Sequence, residues 1–464
     1  MGVSDIFQIG VKALGANRAA IEVISHNIAN ANTTGYVRQE PILATEIPQK
    51  ISNLLFGRGV KLSEISTVQS GLLDFQIFMT SQKMNQFQAE LQGAEQIDNI
   101  MAESGSSLTE ALSEFFNSIQ DLASAPEGTP QRVAVLSKAE SLISMLHQAR
   151  SQLSEVRETS DQQIVESVKQ VNTLLGQIAE LNQKIFQFKS QGINPADYYV
   201  QRYQLLDELS KYIDFQYFES DDGMVNIFSA GMMILEGTNT ASLKTEADAT
   251  NDGFSKVVLT TISGQDVDIT DGIKAGAIKG ALDVRDGHAK DAIDALDQLA
   301  YQLTSDFNAI HSTGYGLDGN TGYLFFEPLT DVKGAASNIA LSSDVDDPTH
   351  IAAAKEPVPG DNRNALELAA LNDKLTMNGG TATYQEFISS LIAKVGSEKN
   401  TAEWNSNVQQ SILEQTKAQR ESISGVSIEE EAAKLIQFQQ SLEAAAKVIT
   451  VGTDILDTVI SLIE

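Results

Sequence analysis

The 464-residue chain has no cysteine, which excludes a disulfide framework and a thiolate metal site. Such an absence suits a chain that crosses a membrane unfolded, where free thiols would cross-link. Basic residues are also scarce. Against 62 Asp and Glu stand 32 Lys and Arg, a formal charge of -30, and a surface of that sign repels nucleic acid and anionic lipid. DNA, RNA and membrane-surface partners are therefore not expected. No apolar run is long enough to span a bilayer, because even the greasy C-terminal stretch is interrupted by Glu443, Lys447, Asp454 and Asp457. The opening MGVSDIFQIG lacks the charged and apolar regions of a signal peptide. Taken alone, that reads as cytoplasmic.

Reactive constellations are missing too. His26, His147, His288, His311 and His350 are scattered, with no H-E-x-x-H and no phosphate-cradling G-x-x-x-x-G-K-[ST]. Asp318 and Asn320 begin like a calcium loop, but Gly322 and Leu329 fall where later ligands belong. No catalytic, cofactor or metal residue can be named, and the chain reads as no enzyme.

What the sequence does contain is periodicity. Both ends are helical in pattern and the middle is β-like. Phe7, Leu14, Ile21 and Ile28 recur every seven residues, with Ile24 on the same face. Helices are expected at 72–101, 108–122 and 133–152, separated by ESGSS and by SAPEGTP, and a further stripe runs through Ile164, Val171, Ile178 and Ile185. Short β-prone stretches with Gly and Asp turns fill residues 213–272. Helix returns near Lys279, a Gly-rich loop follows at 312–323, and two helices at about 361–374 and 382–422 lead to the last one. Trp404 is expected in the core.

The last helix is the clearest. Ser427 and Glu430 spell an S-x-x-E capping box, and Glu429 to Glu431 suit the positive end of the helix dipole. Ile428, Leu435, Leu442, Ile449, Leu456 and Ile463 then hold one heptad position, with Phe438, Ala445 and Val459 at its companion. An apolar seam needs a partner. The first thirty residues offer a comparable seam, so pairing of the two termini is expected, either as an ordinary bundle or as a coiled coil completed by neighbouring subunits.

NIANANTTGYVRQ, residues 27–39, resembles the N-terminal signature of bacterial flagellar axial proteins of the rod and hook class, and its Tyr36, Arg38 and Gln39 ending is similar to the hook-associated protein 1 family. Residues 280–326 and 424–449 resemble the central helix with its Gly-rich loop and the C-terminal signature of the same family. The chain is short for that family, so a reduced or missing outer domain is expected.

The resemblance implies a mainly α fold with an inserted β-rich domain, arranged concentrically. Residues 1–39 with 424–464 would form an inner coiled-coil layer around a channel. Residues 40–212 with 273–423 would form a helical middle, and 213–272 a small outer β domain. It implies a structural role at the hook–filament junction, secretion through the flagellar type III apparatus, and no cofactor. Implied partners are copies of the chain, the hook protein, a second junction protein, and an export chaperone on the C-terminal helix. Asn27, Ile28, Asn30, Asn32, Thr33, Gly35, Tyr36, Arg38 and Gln39 would be the assembly signature, with Asn and Thr side chains capping carbonyls and meeting an adjacent subunit. Gly35 suits a left-handed turn that closes the first helix. Another axial role, or a surface-binding β insertion, stays open as an alternative.

Overall fold

The computed structural model describes residues 3–33, 35–51 and 54–461. Helix α1 (Val3–Ala29) is followed by a ribbon of β1 (Gln39–Thr45), β2 (Gln49–Ile51), β3 (Leu54–Phe56) and β4 (Val60–Thr67). β1 pairs antiparallel with β4, with a slip between Ile42 and Leu43, and β2 pairs with β3 at the distal end. This ribbon corrects the expectation of long helices from residue 40. Pro41 and Pro48 sit in it without conflict, because a two-stranded ribbon is all edge and need not use every N–H.

The middle is built on two rods, α2 (Gly71–Ser124) and α3 (Thr129–Ser190), about 80 and 90 Å long at 1.5 Å per residue. The expected break at ESGSS is absent. There the hydroxyls of Ser106, Ser107 and Thr109 donate to the carbonyls of Ala102, Glu103 and Gly105 at 2.8 to 3.0 Å, so these residues bond the helix to itself. Gly105 also lets another helix close in, since a Cβ there would meet Ile392 at 2.7 Å. The break at Pro126 and Gly128 is present, and Pro130 occupies the first turn of α3. α3 closes on Gly192, whose φ of 75° is left-handed, and α4 (Ala196–Tyr212) follows.

Strands β5 (Gln216–Glu219), β6 (Val225–Ser229), β7 (Met232–Glu236) and β8 (Asn239–Thr240) form one sheet in sequence order. β9 (Ser242–Ala247), β10 (Ser255–Thr260) and β11 (Asp266–Asp268) form another with β10 in the centre. They do not build a core of their own. Val225, Ile227, Ile234, Leu243 and Val257 are buried in one cluster with Ile164, Val171 and Ile178 of α3 and Leu206 of α4. The stripe read on α3 thus finds strands as well as helices as its partner.

Two buried arginines fasten the β9–β10 turn. Arg285 pairs with Asp161 and Asp286 at 2.6 Å each. Arg157 pairs with Asp252 at 2.9 Å and lies over the Phe254 ring. Charged groups this well partnered avoid the cost of a lone buried ion.

The chain returns through α5 (Ala277–Asp283), α6 (Ala289–His311), α7 (Ala335–Asn338), α8 (Arg363–Ala370), α9 (Tyr384–Ser424) and α10 (Ile428–Ser461). A second core joins α2, α3 and α6 around Phe115, Phe307, Phe325 and Phe326. α9 begins with a full capping box, Thr383 and Glu386. Trp404, expected in the core, is exposed on α9; helix periodicity places a residue on a face but does not say which face is covered. The Gly-rich loop is pinned by His311, which is wholly buried. Its Nδ1 donates to the Tyr323 carbonyl at 2.8 Å and its Nε2 accepts from the Ala352 N–H at 2.9 Å. His288, on the turn before α6, spans Glu90 of α2 and Glu398 of α9 at 3.0 Å each.

Opposite pH responses follow from these two histidines. Burial holds His311 down at about 4. Its contribution is full above its unfolded value near 6.5 and falls as pH drops towards about 4. The hydrogen bond that His288 donates to Glu90, aided by the charge of Glu398, raises its pKa, so its contribution is full below 6.5 and fades as pH rises. Urea midpoints measured against pH should lose slope on the acid side in His311→Gln and on the alkaline side in His288→Gln. Gly280→Ala should cost about 1–3 kcal/mol in the same assay, because its Cβ would sit 2.3 Å from the Gln86 carbonyl oxygen, which is backbone and cannot rotate away.

Candidate functional site: the terminal helix pair and its hub

α1 and α10 pack antiparallel along their lengths. Asn27 meets Glu431 at one end, a Cβ on Gly10 would touch Ile449 midway, and Gly452 lies opposite Ile6 at the other. Small residues carry the closest approach: Gly10, Ala16 and Ala20 on α1, Ala445 and Gly452 on α10 are all buried. Ile24 is completely covered, whereas Leu14, Ile21, Ile28, Leu435, Phe438, Leu442 and Ile449 are half-covered.

The expected seam is therefore only partly used within one chain. Phe7, Ile428 and Leu456 are exposed, and Ile463 lies outside the described residues. The position that turns most fully into α1 is the companion one, through Glu431, Ala445 and Gly452. Geometry explains the rest. α10 has 34 residues and α1 has 27, so about 10 Å of α10 extends past the start of α1. Val11, Ile436, Val448, Val451, Ile455, Val459 and Ile460 add to the uncovered apolar surface.

The signature residues divide into a buried clamp and an exposed edge. Asn27 is fully enclosed and uses its whole hydrogen-bonding capacity. Its Nδ2 donates to the Gln39 carbonyl at 2.8 Å and to Glu431 at 2.7 Å. Its Oδ1 accepts from the Tyr36 hydroxyl at 2.9 Å and from the Gln39 N–H at 3.0 Å. Since the Tyr36 hydroxyl donates to Asn27, it accepts from His26 Nδ1 at 3.0 Å. Burial, with Asp197 and Glu431 nearby, pushes the Tyr36 phenol up, which keeps it protonated and a donor.

Around that clamp the chain turns outward. Asn30 caps the His26 carbonyl at 3.0 Å, and Gly35 takes a φ of 78°. The Arg38 N–H donates to the Ser424 carbonyl and its own carbonyl accepts from Val68, both at 2.9 Å. Arg38 reaches Glu430 at 3.2 Å. The Glu430 carboxylate is thereby turned to Arg38, while Ser427 Oγ accepts from the Glu430 N–H at a long 3.4 Å. Gln39 touches Asp197 of α4 at 3.4 Å. Asn32 and Thr33 are exposed. The expectation that the Asn side chains meet an adjacent subunit is thus altered for Asn27, whose partners all lie in its own chain.

Two groups at the hub, Arg420 and Asp74, gave no signal in the sequence, and a third gave only a partial one. Arg420 bonds Asp74 at 2.7 Å, lies 4.2 Å over the Tyr203 ring and reaches the Gly35 carbonyl. Burial pushes the Asp74 carboxyl up, against the pull of Arg420. Glu431 was readable only as a dipole charge, yet it is buried and shared by Asn27 and Lys434. Nothing in spacing alone links positions hundreds of residues apart.

The family model for the flagellar hook-associated protein FlgK helical domain matches residues 94–326, half of the chain. The chain belongs to the FlgK family. Models for the flagella basal body rod protein and the basal body rod FlgEFG protein C-terminal match residues 7–36 and 417–462, the two elements that meet at the hub. Flagellar hook-associated protein 1 of Bacillus subtilis is 28% identical, with 97% of this chain and 96% of that protein covered. Its counterpart in Salmonella typhimurium is 24% identical over 99% of this chain and 100% of the relative. That alignment runs over 553 positions, so the relative carries sequence this FlgK-family chain lacks. The flagellar hook junction protein FlgK of Burkholderia pseudomallei shares the fold, with a TM-score of 0.70 at 16% identity over 75% of this chain and all of that one.

Asn27→Leu removes every partner of the Glu431 Oε2 and the Gln39 backbone at once. It should destabilise the terminal pair by about 3 kcal/mol, seen as faster amide exchange in the first turns of α10 with α2 and α3 unchanged.

Proposed function

We propose that this chain is the subunit that joins hook to filament in the bacterial flagellum, and that it assembles by burying the uncovered face of its terminal helices against neighbouring copies. Its role is structural. Among the described residues there is no group of three His, Asp or Glu that would hold a metal, and no helix is long and apolar enough to cross a membrane. The observation that carries the reading is the apolar surface left by the α1–α10 pair. Val448, Val451, Ile455, Leu456, Val459 and Ile460 are all large and still about half exposed, and burying what remains of each gains on the order of 1 kcal/mol. A pair of helices that one chain leaves half-covered is what a polymer of such chains requires.

The finer elements of the reading come with the family resemblance, and the apolar surface is consistent with them. The inner layer is the α1–α10 pair, the rods α2, α3 and α9 form the middle, and the hub between them fixes the angle at which one leaves the other. Export proceeds through the flagellar type III apparatus with the terminal segments unfolded, and ordering on assembly is offset by burial between subunits. Before assembly an export chaperone covers α10 in a helix-in-groove manner. The hook protein and the second junction protein are the neighbours below and above.

A strain lacking the chain should carry hooks without filaments under the electron microscope, with filament monomer lost to the medium. Ile455→Lys with Val459→Lys should leave the circular dichroism and melting of the purified chain unchanged, because both side chains are exposed, yet give the same bare hooks. Normal filaments on that variant would remove the basis of the assembly reading. Deleting residues 425–464 should abolish chaperone binding.

A further inference from the structure

The turn that leads into α9 contains the chain's only Asn-Gly pair, Asn378 and Gly379. Asn378 takes a φ of 50°, a left-handed position that an L residue holds less easily than glycine, and Gly379 and Gly380 continue it at 70° and 90°. Residues 378–381 are all exposed. Neither the Gly379 N–H nor the Asn378 side-chain amide has a hydrogen-bond partner among the described residues. A Cβ added at Gly379 would meet nothing within 4 Å, so the space around this peptide is open.

Five Asp-Gly pairs place a side-chain carbonyl carbon at the same spacing from a glycine nitrogen, and the fold restrains each of them. The N–H groups of Gly223, Gly253, Gly272 and Gly319 donate to the carbonyls of Ser220, Asp248, Ile269 and Gly316 at 2.8 to 3.1 Å. In the fifth pair, before α6, Asp286 is tied to Arg285 at 2.6 Å. Asp252 has almost the backbone of Asn378, with a φ of 54°, but Arg157 and Lys333 hold its carboxylate. An ionised carboxylate is a poor electrophile. Asn378 instead offers a neutral amide with ammonia to expel.

We propose that Asn378 is a site of covalent self-modification through a five-membered imide. The Gly379 nitrogen bonds to the Asn378 Cγ, the Cγ–Nδ2 bond breaks, and ammonia leaves with the amide proton. Water then opens the ring at either carbonyl, giving aspartate or, where the main chain is rerouted through the side chain, isoaspartate. Ring closure needs the Asn378–Gly379 peptide to rotate, and paired glycines in open space permit it. The consequence falls on the entry to α9. Met377 is 1% exposed, and its carbonyl accepts from Gly380, Thr381 and Ala382 at 3.0, 3.0 and 3.2 Å. Thr383 then begins the capping box. Isoaspartate lengthens the main chain by one methylene inside this turn, and either product adds a negative charge.

The test ages the purified full-length chain in neutral and in alkaline buffer, digests it, and reads each Asn by mass spectrometry with fragmentation that separates isoaspartate from aspartate. Asn117 and Asn405 precede serine but lie within α2 and α9, where the backbone N–H groups are bonded. Conversion at Asn378 should exceed theirs by on the order of tenfold or more, rise with pH, and yield isoaspartate alongside aspartate. Its rate should also stay within a few-fold of that in urea, because no native bond has to open first. The aged chain should exchange the amides of residues 380–386 faster than the fresh one. Asn378→Gly, which accepts the same positive φ, should show no conversion and no such change on ageing. An Asn378 that keeps its amide in the folded chain while losing it in urea overturns the proposal, as does aspartate formed without isoaspartate.

Discussion

A single amide, that of Asn27, holds together the three segments on which the rest of the molecule depends. One side chain bonds the end of α1, the strand that leaves it and the first turn of the helix that returns some four hundred residues later. An amide suits this position because it offers two donors and two acceptors in a plane, and all four are used. Around it Tyr36, Arg38 and Arg420 add bonds to His26, Glu430, Asp74 and the Gly35 carbonyl. The angle between the terminal pair and the long rods is thereby fixed by directional bonds, not by apolar contact, which has no preferred orientation.

The terminal helices are the reverse case. Close approach through Gly10, Ala445 and Gly452 joins them, but the apolar stripe on α10 is wider and longer than α1 covers. What remains is a surface with no partner among the described residues. A surface of this kind is what the proposed assembly would cover. The hub sets the direction in which the rods leave the terminal pair, and the stripe is the part left for the proposed assembly.

The middle of the molecule behaves as a rigid mount. α2 and α3 run through both cores, and the small sheets rest on α3 and α4 with Arg157 and Arg285 locking their turn. Glycines at 93, 105 and 280 let helices and turns approach until a Cβ would clash. Little in this region is free to shift without disturbing a packed neighbour.

The sequence alone determined the helical ends, the β-rich segment, the firm break at Pro126 to Pro130, the left-handed Gly35 and the resemblance carried by residues 27–39, because periodicity and backbone constraints are local. It also made plain that no catalytic chemistry could be named. Only the tertiary structure decided that α2 runs unbroken through ESGSS, that a ribbon occupies 39–67, that Trp404 is exposed and that Asn27 bonds Glu431. Those outcomes depend on which face of an element meets which neighbour, and a repeat of seven or of two fixes the stripe without naming what covers it.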